Sequence, residues 1–148
     1  MYESGRTEGR NQQLFHHERA AMCYDAGRLV GVRYGVPDGL TTIEAVILDF
    51  EAGSWALTVN ADDDSVRIAA GEATGLEDVR FAPAPAGSPW TDALGAVPRW
   101  IWVLENQQGY HDGLQICFAL DGEEVCRIQL IAEASGWHIG TVRRWPLP

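Results

Sequence analysis

The sequence predicts a mainly β domain of the α+β kind. It implies about eight mostly antiparallel strands in a twisted sheet or two-layer sandwich, preceded by a short N-terminal helix. Three observations predict it. Short runs of β-branched and aromatic residues recur along the chain, bounded by Gly, Asp and Pro. Several of them alternate apolar and polar residues with period two, as a half-buried strand requires. No run is followed by a helical stretch of crossover length. The βαβ pattern is therefore missing, which excludes doubly wound nucleotide-binding folds.

The elements follow in chain order. Residues 1–12 are polar, Gly-containing and aperiodic, and read as a flexible tail ahead of a single domain over 13–148. "QLFHHERAAMCY" (13–24) carries a weak apolar stripe from Leu14, Phe15, Ala21 and Met22, enough for a short helix that Gly27 would stop. "RLVGVRYG" (28–35) sets Val30, Val32 and Tyr34 against Arg33. "PDG" (37–39) is a turn. "IEAVILDFE" (43–51) is apolar on both faces, which places it centrally and covered on both sides. "SWALTVNA" (54–61) alternates, with Trp55, Leu57 and Val59 on one face. Asp62-Asp63-Asp64 turns the chain into "SVRIA" (65–69), and the three strands form a meander.

Residues 70–98 are rich in Ala, Gly and Pro and read as a long excursion between two halves of the sheet. Only "DVRFA" in it has strand character. "SPWTDALG" (88–95) fits a helical turn with Ser88 as cap, Pro89 at the first position and Gly95 as stop. "RWIWVLE" (99–105) is apolar on both faces, Trp100, Trp102 and Leu104 on one and Ile101 and Val103 on the other. Core periodicity assigns Trp55, Trp100 and Trp102 to the interior. "LQICFAL" (114–120), Asp121-Gly122 and "EVCRIQLIAE" (124–133) read as a hairpin, since Asp-Gly between strand runs is a strong turn signal. "WHIGTVRRW" (137–145) closes the chain.

The Asp121-Gly122 turn raises a question of register. A two-residue loop sets Leu120 against Glu123 and Cys117 against Cys126. It also puts Arg127 and Gln129 on the face of Leu114, Ile116 and Phe118. A longer loop would remove that conflict and separate the sulfurs. Two reduced thiols are expected.

Composition narrows the function. The net charge is −10, and all 11 basic residues are Arg. Without Lys there is no amine nucleophile or Schiff base. An acidic surface repels phosphate backbones and anionic lipid, so neither nucleic acid nor membrane is an expected partner. It attracts a basic protein and speeds the encounter. The 3 cysteines are too odd a count for a secreted disulfide framework. No secretory h-region precedes the domain, and a cytoplasmic location is expected.

The residues that could carry function are few. "ENQQGYHDG" (105–113) concentrates side-chain amides, Tyr110, His111 and Asp112 in one connection. Asn106, Gly109 and the Asp112-Gly113 pair are turn formers, so the stretch is either a well-tied loop or a recognition loop. His111 and Asp112 are sequence neighbours and point apart in extended chain, so they form no dyad. No Gly-x-Ser-x-Gly elbow is present. His16-His17 lacks zinc-site spacing, and Asp62-Asp63-Asp64 lacks the alternating ligands and distal Glu of a calcium loop. Neither a metal nor another cofactor is expected, and the chain is expected not to be an enzyme. Trp90, in the excursion, and Trp145, beside Arg143 and Arg144, are candidates for exposed contacts.

The spacing Trp100, Trp102, Leu104, Asn106, Gln107, Gly109, Tyr110, Asp112, Gly113, with Ala134 and Ser135 later, resembles the pattern of an uncharacterised bacterial domain family of small acidic proteins. The resemblance covers about residues 25–143 and implies no activity. Size and acidity are similar to those of bacterial immunity proteins, which neutralise a toxin by binding it. The expected function is therefore non-catalytic protein binding through an acidic surface. Tyr110, His111, Asp112, Asp62, Asp63, Asp64 and Trp90 would meet a basic, toxin-like partner. The alternative is a small-ligand or hydrolase-like domain with a pocket near Trp102, Tyr110 and His111.

Overall fold

A computed structural model describes residues 18–60, 62–71 and 75–142. The tail at 1–12, residues 13–17 of the expected helix, the His16-His17 pair and the 143–148 segment with Trp145 lie outside the described residues. Residues 18–26 are helical, and Gly27 follows at φ +76°, a backbone state glycine adopts without strain. No described helix is long and apolar enough to cross a membrane.

Nine strands follow: β1 (Leu29–Pro37), β2 (Ala45–Phe50), β3 (Gly53–Val59), β4 (Val66–Ala70), β5 (Val79–Pro83), β6 (Val97–Glu105), β7 (His111–Leu120), β8 (Glu123–Glu133) and β9 (Gly136–Thr141). They form two antiparallel sheets, ordered β4-β3-β2-β1-β5 and β6-β7-β8-β9. The expected meander is β2-β3-β4, and β2 is the central strand of its sheet, buried along Ala45–Leu48. The 70–98 stretch separates the two sheets in sequence, and its "DVRFA" segment supplies edge strand β5.

One core lies between the layers. Val46, Leu48, Phe50, Trp55, Leu57 and Ile68 of the first sheet join Leu114, Ile116, Phe118, Ile128, Leu130 and Trp137 of the second in a single buried cluster. Two lashings close the ends. At one, Leu29 and the 95–96 segment exchange backbone bonds of 2.8 Å each. At the other, Trp137 donates its backbone N–H to Ile43 O at 2.7 Å and its indole N–H to Leu57 O at 3.2 Å. Gly136 sits so close to Thr42 that a Cβ there would collide with the Thr42 methyl.

Three sequence expectations are corrected by this packing. The first is Trp90, expected as a contact on the surface. It is 1% exposed, donates its indole N–H to the Tyr34 hydroxyl at 2.8 Å and meets Phe118 edge-on at 6.2 Å. Burying an indole removes a large apolar area from water and its N–H needs an acceptor, and both conditions are met here. The helical turn around it is a 3-10 turn at Thr91–Ala93 without a side-chain cap, so Ser88 does not cap it. The second correction concerns Trp100 and Trp102, expected inside. They are 54% and 38% exposed, on the outer face of β6, while Ile101 and Val103 pack on the core. The third concerns Val30. A bulge between Leu29 and Gly31 turns Leu29 inward and leaves Val30 outside.

The β7–β8 register answers the cysteine question. The turn is the two-residue one, with Leu120 opposite Glu123. A bulge then skips Val125, so that Phe118 faces Cys126 and Cys117 faces Arg127. The extra residue, not a longer loop, restores Cys126, Ile128 and Leu130 to the core face. All three cysteines are free. Burial pushes the Cys117 thiol up to about 12, with help from the Glu124 carboxylate to which it donates at 2.9 Å. Burial likewise raises Cys23 and Cys126, each to about 11.

Candidate functional site

The 106–110 connection is built around one carboxamide. Asn106 Oδ1 accepts the backbone N–H of Gln108 at 2.9 Å and of Tyr110 at 3.2 Å, and Asn106 Nδ2 donates to Asp112 Oδ2 at 3.2 Å. The Asn106 N–H reaches Tyr110 O at 2.9 Å, and Gly109 supplies the positive φ of +85° that closes the loop. Asn106 therefore ties the loop from within. What the loop leaves outside is the Tyr110 ring, 45% exposed, and the exposed His111 side chain. Asp112 is half-buried and engaged by Asn106.

The three aspartates of the β3–β4 turn have different duties. Asp63 accepts the Ser65 N–H at 2.9 Å, and bonds from Ser65 hold its carboxyl below the usual range. Asp64, at φ +56°, accepts the Ser135 N–H at 2.8 Å and so joins the β3–β4 turn to the β8–β9 turn across the two sheets. Asp62 is exposed; its carboxylate makes no bond recorded among the described residues, while its backbone N–H is held by Asn60 Oδ1 at 3.0 Å.

That cross-sheet bond places the candidate residues in space. In the second sheet, Glu105 pairs with His111 and Glu133 with Gly136, so the 106–110 and 134–135 connections share one end. In the first, Gly35 pairs with Ala45 and Val59 with Val66, so the 38–44 and 60–65 connections share one end too. Asp64 to Ser135 and Trp137 to Ile43 make these the same end of the molecule. It carries Asp38, Glu44, Asp62, Asp63, Asp64, Glu105, Asp112 and Glu133, and none of the four connections contains an arginine. Among basic side chains nearby, the Arg80 guanidinium is bound to Asp38 at 2.8 Å, and the His138 ring lies 3.7 Å from Glu133. The structure thus gathers Tyr110, His111, Asp112, Asp62, Asp63 and Asp64 at one pole. It leaves Trp90 out, because Phe118 and the 95–96 lashing put that indole in the core near the opposite end.

The residues of the alternative pocket are Trp102, Tyr110 and His111, and none of the three lines any of four surface grooves formed by described residues. Trp102 lies on the outer face of the second sheet under the Arg127 guanidinium, 4.6 Å from the ring centroid. Tyr110 and His111 lie exposed at the acidic pole. Four surface grooves of about 470, 530, 590 and 700 Å³ are lined by described residues, and no histidine stands in their walls. Among the described residues, no group of three or more His, Cys, Asp or Glu side chains is arranged to hold a metal ion.

Two polar groups escaped the sequence reading. On the outer face of the first sheet, Arg33 forks onto Asp49 at 2.8 and 2.9 Å, and Ser54 donates to the same carboxylate at 2.7 Å. On the outer face of the second, Gln115 donates to Gln129 at 2.7 Å and Arg127 to Glu124 at 2.7 Å, beside the exposed Trp100 and Trp102. The signal was in the register: Trp102 pairs with Gln115, and a strand face that holds Gln, Arg and Gln faces water.

No curated protein and no solved structure matches the chain. One family model does, over residues 25–145, which spans every strand described above. The chain belongs to that family, DUF6334, a family of unknown function.

Proposed function

We propose that the protein is a binding module without chemistry of its own, which meets a basic protein partner through its acidic pole. The observation that carries this reading is the Asp64–Ser135 bond. It fixes the carboxylate-rich β3–β4 turn at the same end as the exposed Tyr110 and His111, with no arginine in any of the four connections there. A predominantly negative surface of this kind steers an oppositely charged partner into encounter. Tyr110 then offers a large, amphipathic anchor on a loop that Asn106 has already ordered, so little entropy is lost on docking. An immunity-type role, in which a bacterial protein neutralises a basic toxin by covering it, is the specific form we favour. It rests on the likeness in size and acidity, which is an analogy of form.

The test uses Asp62→Arg. Asp63 and Asp64 are spared because the Ser65 and Ser135 N–H groups depend on them. With a partner captured from the native host, the variant is expected to associate about tenfold or more slowly at low salt. The salt dependence of its association rate should also flatten. An unchanged rate at every salt concentration would sink the electrostatic reading.

A further inference from the structure

We propose that the groove between the helix at 18–26 and the adjoining ends of β3 and β4 is a binding site for a linear aliphatic polyamine. The groove lies at the opposite end from the acidic pole. The β2–β3 turn that borders it joins Phe50 to Gly53, whereas the β3–β4 turn that carries Asp62–Asp64 joins Val59 to Val66. The site thus stands apart from the surface proposed for the protein partner. Its volume is about 590 Å³, within the usual range for a small-molecule site. Trp55 and Ile68, both nearly buried, form the floor, and Met22 of the helix forms one wall. Most of the remaining lining is Ala or Gly, which is what leaves the space open. A Cβ at Gly53 or Gly71 would meet nothing within 4 Å.

The helix selects the occupant. Glu18 and Asp25 both line the groove and are both exposed. Their spacing of two helical turns puts them on one face, about 10 Å apart along the axis. Ala21 and Met22 lie between them on the same wall. Neither carboxylate is held by a bond or ion pair among the described residues. No residue lining the groove is basic, and Arg19 turns the other way, into the groove beside β6. The result is an apolar trough with a negative charge at each end. A metal cation would match the charge and waste the apolar floor. A single ammonium would leave the second carboxylate unanswered. A methylene chain that carries ammonium groups at both ends answers both, its stem against Met22 and the small residues and its heads hydrated beside Glu18 and Asp25. Exposed ion pairs are individually weak, so it takes both ends together to hold such a ligand.

Isothermal titration calorimetry on the full chain tests this, with spermidine as the probe. Physiological salt is used, because it screens the diffuse attraction of a chain of net charge −10. Saturable one-to-one binding is expected. It should be about fivefold tighter than that of hexylamine, which offers one ammonium, or of ethylenediamine, whose two are too close together to reach both carboxylates. Glu18→Gln and Asp25→Asn should each weaken it about threefold to fivefold. Ala21→Phe, which fills the groove without altering charge, should abolish it. Asp62→Asn, at the far pole, should leave it unchanged. The three helix positions are exposed, and thermal unfolding checks that each variant folds. A chain that does not bind spermidine overturns the proposal. So does hexylamine or magnesium binding as tightly, or a loss at Asp62→Asn equal to that at Asp25→Asn.

Discussion

Asp49 shows how much one side chain can organise on a solvent-facing sheet. It accepts both prongs of Arg33 and the Ser54 hydroxyl, so three strands, β1, β2 and β3, share a single carboxylate. The Arg33 bonds hold its carboxyl below the ordinary range, against a smaller opposing effect of burial. A depressed folded value means that the unfolded chain takes up the proton first as the solution is acidified. The group's contribution is therefore complete above the unfolded value of about 3.9, and it is lost as pH falls through the folded value. Asp49→Asn should lower stability at pH 7. The gap to wild type in urea midpoint should close as the pH is taken from about 5 to 2. A gap that persists unchanged at pH 2 would mean that packing, not the ion pair, is what the substitution disturbs. Asn106 organises its loop in the same economical way, with both carboxamide atoms engaged.

At the scale of elements, the β7–β8 hairpin holds the most informative feature. Its Asp121-Gly122 turn has φ of +52° and +82°, the left-handed pair that matches strand twist. The turn was legible from the dipeptide alone. The bulge at Val125 was not, because no residue type marks it, and only the need to keep Arg127 and Gln129 off the core demands it. Deleting Val125 should therefore be far more harmful than an ordinary trimming of an exposed residue. It would force either Arg127 and Gln129 into the core or the whole strand to slip, and burying an unpaired cation costs several kcal/mol, about 3–5 at least. The expected result is loss of cooperative thermal unfolding by circular dichroism, whereas Val125→Ala should unfold within a few degrees of wild type. A deletion variant with a normal transition would show that the bulge is dispensable.

For the molecule as a whole, the two sheets are joined by a core and by a few bonds that cross between them. At the acidic pole Trp137 donates to Ile43 O and Ser135 to Asp64, and the second of these bonds ends on a carboxylate. The Asp64 carboxylate satisfies the Ser135 N–H, in a turn where Ala134 and Ser135 both have positive φ, 52° and 66°. Asp64→Ala would orphan that donor and should cost about 1–2 kcal/mol in denaturant unfolding. Asp62→Ala, at an exposed side chain of the same turn, should fall within about 0.5 kcal/mol of wild type or stabilise slightly by relieving like-charge crowding. Equal losses at both positions would refute the division between a structural and a surface carboxylate on which the acidic-pole reading is built.

The sequence by itself determined the mainly β class, the order and approximate limits of the strands, the Asp-Gly turn and the central place of β2. All of these rest on local periodicity and on turn residues whose backbone preferences act over a few positions. Only the tertiary structure decided which face of β6 is wet, where the bulges at Val30 and Val125 fall, and that Trp90 is core. Trp100 and Trp102 alternate as buried residues do, and period two cannot say which side of a strand the second sheet will cover. Gathering Asp62–Asp64 and the 106–110 loop at one pole depends likewise on a bond between residues 71 positions apart. No window along the chain contains both partners of that bond, so nothing short of the folded arrangement could reveal it.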